Sequence, residues 1–224
     1  DIAADGTIYV AWAQADTIWM DRSSDGGESW LPQDLHVTTI SGGWDQEVRG
    51  IGRANGMPVT RVDRSNGPHS GRVYVNWTDN RNGEEDNDVW VVWSDDGGGT
   101  WTEPTRVNDD PPGAQQFFTW MDVDDVTGHV HIVFYDRRAA KVKHPNPASR
   151  GSWNTEVYVA SSYDGGESWE NLKVSEEWFR PNPKGFFGDY NNISAYDGVV
   201  RPIWTRNDDG VQSIWTAILD GYVE

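Results

Sequence analysis

The chain has 224 residues, with 18 Lys plus Arg against 36 Asp plus Glu and a formal net charge of −18. That balance argues against a nucleic-acid binder, which needs a basic face, and against docking on anionic lipid. It suits an exported protein kept soluble by self-repulsion, or a calcium binder, beside the plainer reading of a solvated acidic surface. Cysteine is absent, which removes disulfides, thiolate metal sites and cysteine nucleophiles together. No apolar run approaches the ~18 residues that a membrane helix requires, so no membrane insertion is expected. No signal peptide is visible from Asp1 onward. Fourteen Trp need burial, and 24 Gly with 11 Pro imply many turns.

In chain order, the first β-rich run is Gly6-Thr7-Ile8-Tyr9-Val10-Ala11-Trp12, followed by a strand at 17–22 and the turn Ser23-Ser24-Asp25-Gly26-Gly27-Glu28-Ser29-Trp30. A further strand is expected around Val37. The same series returns as a short strand at 58–62, the run Gly71-Arg72-Val73-Tyr74-Val75-Asn76-Trp77, a strand at 88–93, and the turn Ser94-Asp95-Asp96-Gly97-Gly98-Gly99-Thr100-Trp101, with a strand around Val107. It returns again as 119–123, Gly128-His129-Val130-His131-Ile132-Val133-Phe134, 155–161, and Ser162-Tyr163-Asp164-Gly165-Gly166-Glu167-Ser168-Trp169, with a strand around Val174. A fourth series comprises 190–195, Gly198-Val199-Val200-Arg201-Pro202-Ile203-Trp204 and 212–218, and ends in Leu219-Asp220-Gly221, a degenerate remnant of the turn.

The three complete turns read S-x-D-G-G-x-[ST]-W, and Asp25, Asp96 and Asp164 are spaced by 71 and 68 residues. Each is a hairpin. The Asp accepts backbone N–H bonds across the turn, the Gly pair permits positive φ, and the Trp opens the next strand and packs beneath. Asp25, Gly27, Trp30, Asp96, Gly98, Trp101, Asp164, Gly166 and Trp169 are therefore read as structural. Four strands per unit with one hairpin motif per unit is a propeller blade. The expected fold is all-β: a β-propeller of four-stranded antiparallel blades, one domain or a portion of one, with blades near 1–40, 58–108, 119–175 and 188–224. The last unit stops after its third strand, and open strand edges are a liability that propellers avoid. The chain is therefore expected to be part of a larger propeller, six-bladed or similar; a closed four-bladed ring is the alternative.

On these turns, and on Phe134-Tyr135-Asp136-Arg137-Arg138, Phe187-Gly188-Asp189-Tyr190 and Arg201-Pro202-Ile203-Trp204, the chain resembles the Asp-box (BNR) repeat proteins over nearly its whole length, especially bacterial sialidase-like (exo-α-sialidase) proteins. The resemblance implies a secreted or cell-surface, bacterial exported protein. The repeat specifies the blade and not the activity, since it also occurs in other glycosidases, sorting receptors and assembly factors. Sialidases of this type carry three arginines for the substrate carboxylate, a tyrosine nucleophile with a glutamate partner, and an aspartate acid/base. Their Arg-Ile-Pro motif is absent; Arg201-Pro202-Ile203 has a different order.

Asp turns join strands three and four, so they mark one face of the propeller. The loops leading into strand one (39–57, 108–118, 175–189) and from strand two to three (13–17, 78–87, 135–154, 205–211) mark the other. That second face is expected to hold the site. It carries Trp44, Asp45, Glu47, Arg49, Arg53, Asp79, Arg81, Asp136, Arg137, Arg138, Asp189 and Arg206, with Tyr190 beside them. Arg49, Arg53, Arg81, Arg137, Arg138 and Arg206 are candidate ligands for a sugar carboxylate, which a guanidinium binds bidentately; the alternative is that they form salt bridges with nearby carboxylates. By the resemblance, Tyr190 is the candidate nucleophile, because a neutral nucleophile avoids repulsion by the substrate's carboxylate. Glu47 and Asp136 complete the catalytic candidates.

The loop 79–88 is dense in oxygen ligands, and Asp79, Asp86 and Asp88 are candidate calcium ligands, although the spacing is not that of an EF-hand. No other cofactor is called for. His129 and His131 share a strand face as a metal site would, or as ordinary packing. Asn76-Trp77-Thr78 and Asn192-Ile193-Ser194 have the glycosylation pattern, the former within a strand. Trp residues can stack on sugars, yet most recur at blade positions. Two functions follow: a surface or secreted propeller that binds or hydrolyses acidic glycans or glycoproteins, or a non-catalytic module that binds other domains or chains of a surface assembly.

Overall fold

The computed structural model describes residues 1–141, 153–182 and 185–220. It is built almost wholly of antiparallel strands. Blade 1 contains β1 (Ile8–Gln14), β2 (Thr17–Ser23) and β3 (Leu35–Thr39) in that order, with Ile2 bridging to Ile8 on the inner side. A two-residue hairpin, β4 (Asp45–Gln46) with β5 (Ala54–Asn55), stands in the loop that follows. Blade 2 is β6 (Val59–Val62), β7 (Val73–Asp79), β8 (Asp88–Ser94) and β9 (Thr105–Arg106). Blade 3 is β10 (Gln116–Val123), β11 (Val130–Asp136), β12 (Glu156–Ser162) and β13 (Glu170–Lys173), with a 3-10 turn at Arg138–Lys141. Blade 4 is β14 (Asn192–Tyr196), β15 (Val199–Asp208), β16 (Val211–Thr216) and β17 (Leu219–Asp220).

Blade 4 has one outer strand, not two. β16 and β17 both pair with β15 in a single register, Ile203 with Thr216 and Val200 with Leu219. The break between them falls opposite Pro202, which has no N–H to give the ladder. The hairpin β4–β5 was not foreseen: two-residue strands leave no periodic pattern to read. Residues 142–152 of the loop read at 135–154, and Gly221 of the degenerate turn, lie outside the described residues.

Successive blades pack face to face, each interface with its own apolar cluster. Val75 and Trp77 lie between blades 1 and 2, Tyr74 and Ile132 between blades 2 and 3, and Tyr135 and Ile193 between blades 3 and 4. β7 and β11 are buried at every residue, because both faces of each strand meet a neighbouring blade. Among the described residues no strand pairing joins blade 4 to blade 1.

The three Asp turns repeat one geometry. In each, a Ser hydroxyl donates to the Asp carboxylate (Ser23 to Asp25 2.7 Å, Ser94 to Asp96 2.7 Å, Ser162 to Asp164 2.8 Å) and accepts the second Gly N–H. The carboxylate also accepts the N–H and hydroxyl of Ser29, Thr100 or Ser168. Those bonds hold Asp25 and Asp96 down to about 2. The turn is also an interblade plug. Gly97 O accepts Arg22 Nη1 of blade 1 at 2.8 Å, and Gly165 O accepts Arg72 Nη1 of blade 2 at 2.8 Å. Gly98 (φ +92°) lies so close to blade 1 that a Cβ there would meet Leu35 Cδ1 at 3.1 Å; on Gly166 (φ +101°) it would meet Trp93 of blade 2 at 3.2 Å. Glycine is needed at both for its dihedral and for that approach. In blade 4 the register places Leu219 where Ser23, Ser94 and Ser162 stand, so the first hydroxyl of the motif is missing. Trp101 and Trp169 pack against the interblade clusters as expected, whereas Trp30 of blade 1 is exposed.

Candidate functional site

The arginines on the second face divide into two sets. The first closes the outer corners of the blades. At the end of β7, Asp79 accepts the Arg81 backbone N–H, Nε and Nη2; at the end of β11, Asp136 accepts the same three groups of Arg138. Each guanidinium also lies over an aromatic ring of the third strand, Arg81 over Trp90 at 4.7 Å and Arg138 over Tyr158 at 4.0 Å. At the same place in β15 the order is reversed: Arg206 donates to Asp208 at 2.7 Å and lies over Trp215 at 4.8 Å. The charge pair is kept while its sequence order inverts, which identifies a structural corner. The salt-bridge alternative describes Arg81, Arg138 and Arg206.

The second set converges at the inner end, where the first strands of the blades begin. A cleft of about 560 Å³ is lined by Glu47, Arg49, Arg53, Glu84, Glu85 and Gln115, among others. The β4–β5 loop that carries the first three is clamped from below. Gln115 Nε2 donates to Glu47 O at 2.9 Å, and Gln115 Oε1 accepts Arg49 N at 3.2 Å. Trp153 packs against Gly50, where a Cβ would come within 2.6 Å of the indole. Arg49 pairs with the exposed Glu85, and Arg53 forms a two-point bridge to the buried Asp189.

Arg137 lies beneath this loop and differs from both neighbours. It is 4% exposed, donates Nη1 to Arg49 O, lies 4.9 Å from the centre of the Phe117 ring, and has no ion pair among the described residues. Among the described residues its Nη2 has no hydrogen-bond partner. Burial, and then the Arg49 charge, push the guanidinium down to about 9, which still leaves it cationic at neutral pH. Two more buried groups at the inner strand starts are orphaned: both amide atoms of Asn191 and Gln116 Nε2. Each such group costs about 1–3 kcal/mol unless something binds it. The innermost strand β10 is also irregular here. Its register slips between Phe117 and Trp120, and Phe118 takes φ +49°, a bulge of the kind found beside binding sites.

Among the described residues no hydrogen bond joins the catalytic candidates Tyr190, Glu47 and Asp136 to one another. Tyr190 is 61% exposed and follows Asp189 at the cleft, within electrostatic reach of Arg53. Glu47 is exposed on the cleft wall, and no hydrogen bond joins it to Tyr190. Asp136 is fully buried at the outer corner; burial lifts its carboxyl to about 6 against the opposing pull of Arg138. Asp79, Asp86 and Asp88 are each engaged by protein donors: Asp79 by Arg81 and Trp77 Nε1, Asp86 by Gly113 N, Asp88 by Arg106 and Asn108. Among the described residues no three acidic, His or Cys side chains are grouped to hold a metal ion. His131 is buried and bonded through Nδ1 to Ser161 Oγ at 2.8 Å, and desolvation lowers it to about 4. Asn76 is buried, whereas Asn192 is exposed. No helix among the described residues is long and apolar enough to cross a membrane.

Gln115, Asn191 and Glu84–Glu85 were not singled out as site residues. Only the position of Gln115 and Asn191 beside a first-strand start signalled them, and polar residues in loops are too common for that to stand out.

No protein-family model and no curated protein matches the chain. Solved structures do. The chain aligns with an α-L-arabinanase of Penicillium chrysogenum (12% identity, TM-score 0.59, 96% of this chain and 59% of that one). It aligns also with an ulvan lyase of polysaccharide lyase family 25 (14%, 0.56, 99% and 52%) and with a Hadza microbial sialidase (16%, 0.55, 99% and 45%). These carbohydrate-active proteins share the propeller fold with this chain, which spans less than two thirds of their length.

Proposed function

We infer that this protein is a secreted or cell-surface propeller that recognises an acidic glycan at the inner-end cleft, with Arg137, Arg49 and Arg53 as the carboxylate-binding set. One observation carries the reading: in a chain of net charge −18, Arg137 is buried and, among the described residues, has neither a carboxylate nor a hydrogen-bond partner for Nη2. A sugar carboxylate would satisfy Nη2 and neutralise a charge that burial disfavours. The likeness to arabinanase, lyase and sialidase propellers supports a glycan as the ligand class, as does the accessibility of the cleft.

Sialoside hydrolysis is the finer form of the proposal. Tyr190 Oη would attack the anomeric carbon from the cleft rim as the glycosidic C–O bond breaks, Glu47 taking the tyrosine proton and the aglycone leaving as an alcohol protonated by water, and a second water would then hydrolyse the glycosyl–tyrosine bond. The absence of a hydrogen bond between Tyr190 and Glu47 favours the second reading, a binding module without turnover. A fluorogenic sialoside assay with wild type and Tyr190→Phe, run beside calorimetric titration of sialic acid, glucuronic acid and glucose, separates the two. Turnover abolished by Tyr190→Phe establishes hydrolysis. Binding of the acidic sugars alone, lost in Arg137→Gln, establishes recognition without it. Equal affinity for glucose sinks both.

A further inference from the structure

Two grooves adjoin away from the cleft, on the rim between blades 3 and 4. Trp178 stands there 47% exposed, forming the wall between two grooves of about 480 Å³ each. Its position is fixed on both sides. The next residue, Phe179, exchanges two backbone hydrogen bonds of 2.9 Å with Thr155 and is buried against Tyr135 and Phe187. Arg180 lies 5.1 Å from the Trp178 ring centre and is itself held by Asn154 Oδ1 at 2.8 Å. An exposed indole normally turns freely; this one is braced, so a ligand meets it with little further loss of entropy.

The polar groups around it select the ligand. Glu156 is paired with Lys173 at 3.1 Å, and Asp208 with Arg206 at 2.7 Å. Glu176, Glu177 and Asp209 have no ion pair among the described residues, against the single unpaired cation Arg180, so the two grooves together carry excess negative charge, concentrated on the Glu176–Glu177 side. That field repels a carboxylated or sulfated sugar. The guanidinium of Arg180 beside the indole opposes a second cation stacked on the same ring. A neutral sugar remains. Its positively polarised C–H face suits the indole π-face, and its hydroxyls can donate to the Asp209 and Glu177 carboxylates at the groove edges.

We propose that Trp178 is the platform of a neutral-saccharide subsite, flanked by Asp208 and Asp209 on one side and Glu176 and Glu177 on the other. This subsite is independent of the acidic-glycan cleft and shares no residue with it.

The test is calorimetric titration of the intact protein with neutral tetrasaccharides of gluco, manno, galacto and arabino configuration. Trp178→Ala, Trp178→Phe and Arg137→Gln are compared with wild type, with melting temperature as a control. The expected result is saturable binding of at least one tetrasaccharide. Trp178→Ala should lose about tenfold or more, the loss expected on removing a stacking aromatic, while Trp178→Phe and Arg137→Gln stay within about threefold. Three results overturn the proposal: no binding of any of the four sugars, equal binding by Trp178→Ala, or displacement of the sugar by a Lys-rich peptide that binds more tightly.

Discussion

Arg138 and Arg137 are adjacent in the sequence and do opposite things. Arg138 turns outward, is held at three points by Asp136, and covers Tyr158. Arg137 turns inward, donates to the Arg49 carbonyl, the Gln115 amide oxygen and the Thr155 hydroxyl, and among the described residues keeps one nitrogen without a partner. The first belongs to a corner that recurs as Asp79–Arg81 and, inverted, as Arg206–Asp208. The second has no counterpart at the matching positions, which hold Asn80 and Asn207. A guanidinium repeated in the corners of three blades is serving the blade, whereas one that occurs once, buried and without an ion pair among the described residues, points to a ligand.

The largest expected effect is on the corner. Asp136→Ala leaves Arg138 without its main partner and opens a buried gap, so urea unfolding should show a loss of about 3–5 kcal/mol. A loss under about 1 kcal/mol would mean the corner is ornamental. Next is the interblade plug. Gly166→Ala places a methyl against Trp93 in a left-handed conformation and should cost about 2–4 kcal/mol by the same measurement. The charge inversion in blade 4 offers a finer probe. Arg206→Asp and Asp208→Arg should each destabilise by about 1–2 kcal/mol, and the double variant, which restores the order found in blades 2 and 3, should recover about half of the summed loss. Additive losses would show that the pair is not interchangeable.

On the Arg137 side the effects are on binding. Arg137→Gln removes the charge that burial disfavours, so melting should barely fall, while affinity for an acidic sugar drops about tenfold or more. Because Arg137 titrates near 9, wild-type affinity should be flat from neutral pH to about pH 8 and weaken above pH 9 as the cation is lost; the variant should lack that limb. The smallest effect is expected at the exposed Asp turns. Asp25 and Asp96 are held near 2 in the fold, below their usual 3.8, so their contribution is present above about pH 4 and is lost as pH falls toward 2. Asp96→Asn should flatten that part of an acid melting profile.

Much of the blade architecture was legible in the sequence. Three octapeptides with the same Asp, Gly pair and Trp, each preceded by a Gly-led β-run, give the strand count and the turn at once. The break in the outer strand of blade 4 was not legible, because it depends on Pro202 lying opposite residue 217 in a register that only pairing sets. Nor was the sorting of the arginines. Six appeared as one cluster in the loops of one face; Arg81, Arg138 and Arg206 belong to corners, Arg49 and Arg53 line the cleft, and Arg137 lies buried beneath its loop. Asp136 and Arg138 could have been paired from the recurrence of Asp79 and Arg81 two residues apart, a signal hidden by the inversion in blade 4.

The sequence by itself determined the blades. Hairpin chemistry and two-residue alternation are local, and repetition makes them unmistakable. The tertiary structure alone decided which charges are spent inside the fold and which remain available. That depends on what the next blade brings to each side chain: Gln115 and the Arg49 carbonyl for Arg137, Asp136 for Arg138. Neighbouring residues on one loop face opposite sides of a packed wall, and burial, set by chain segments about 90 residues away, separates the arginine paired in a corner from the one left without an ion pair among the described residues.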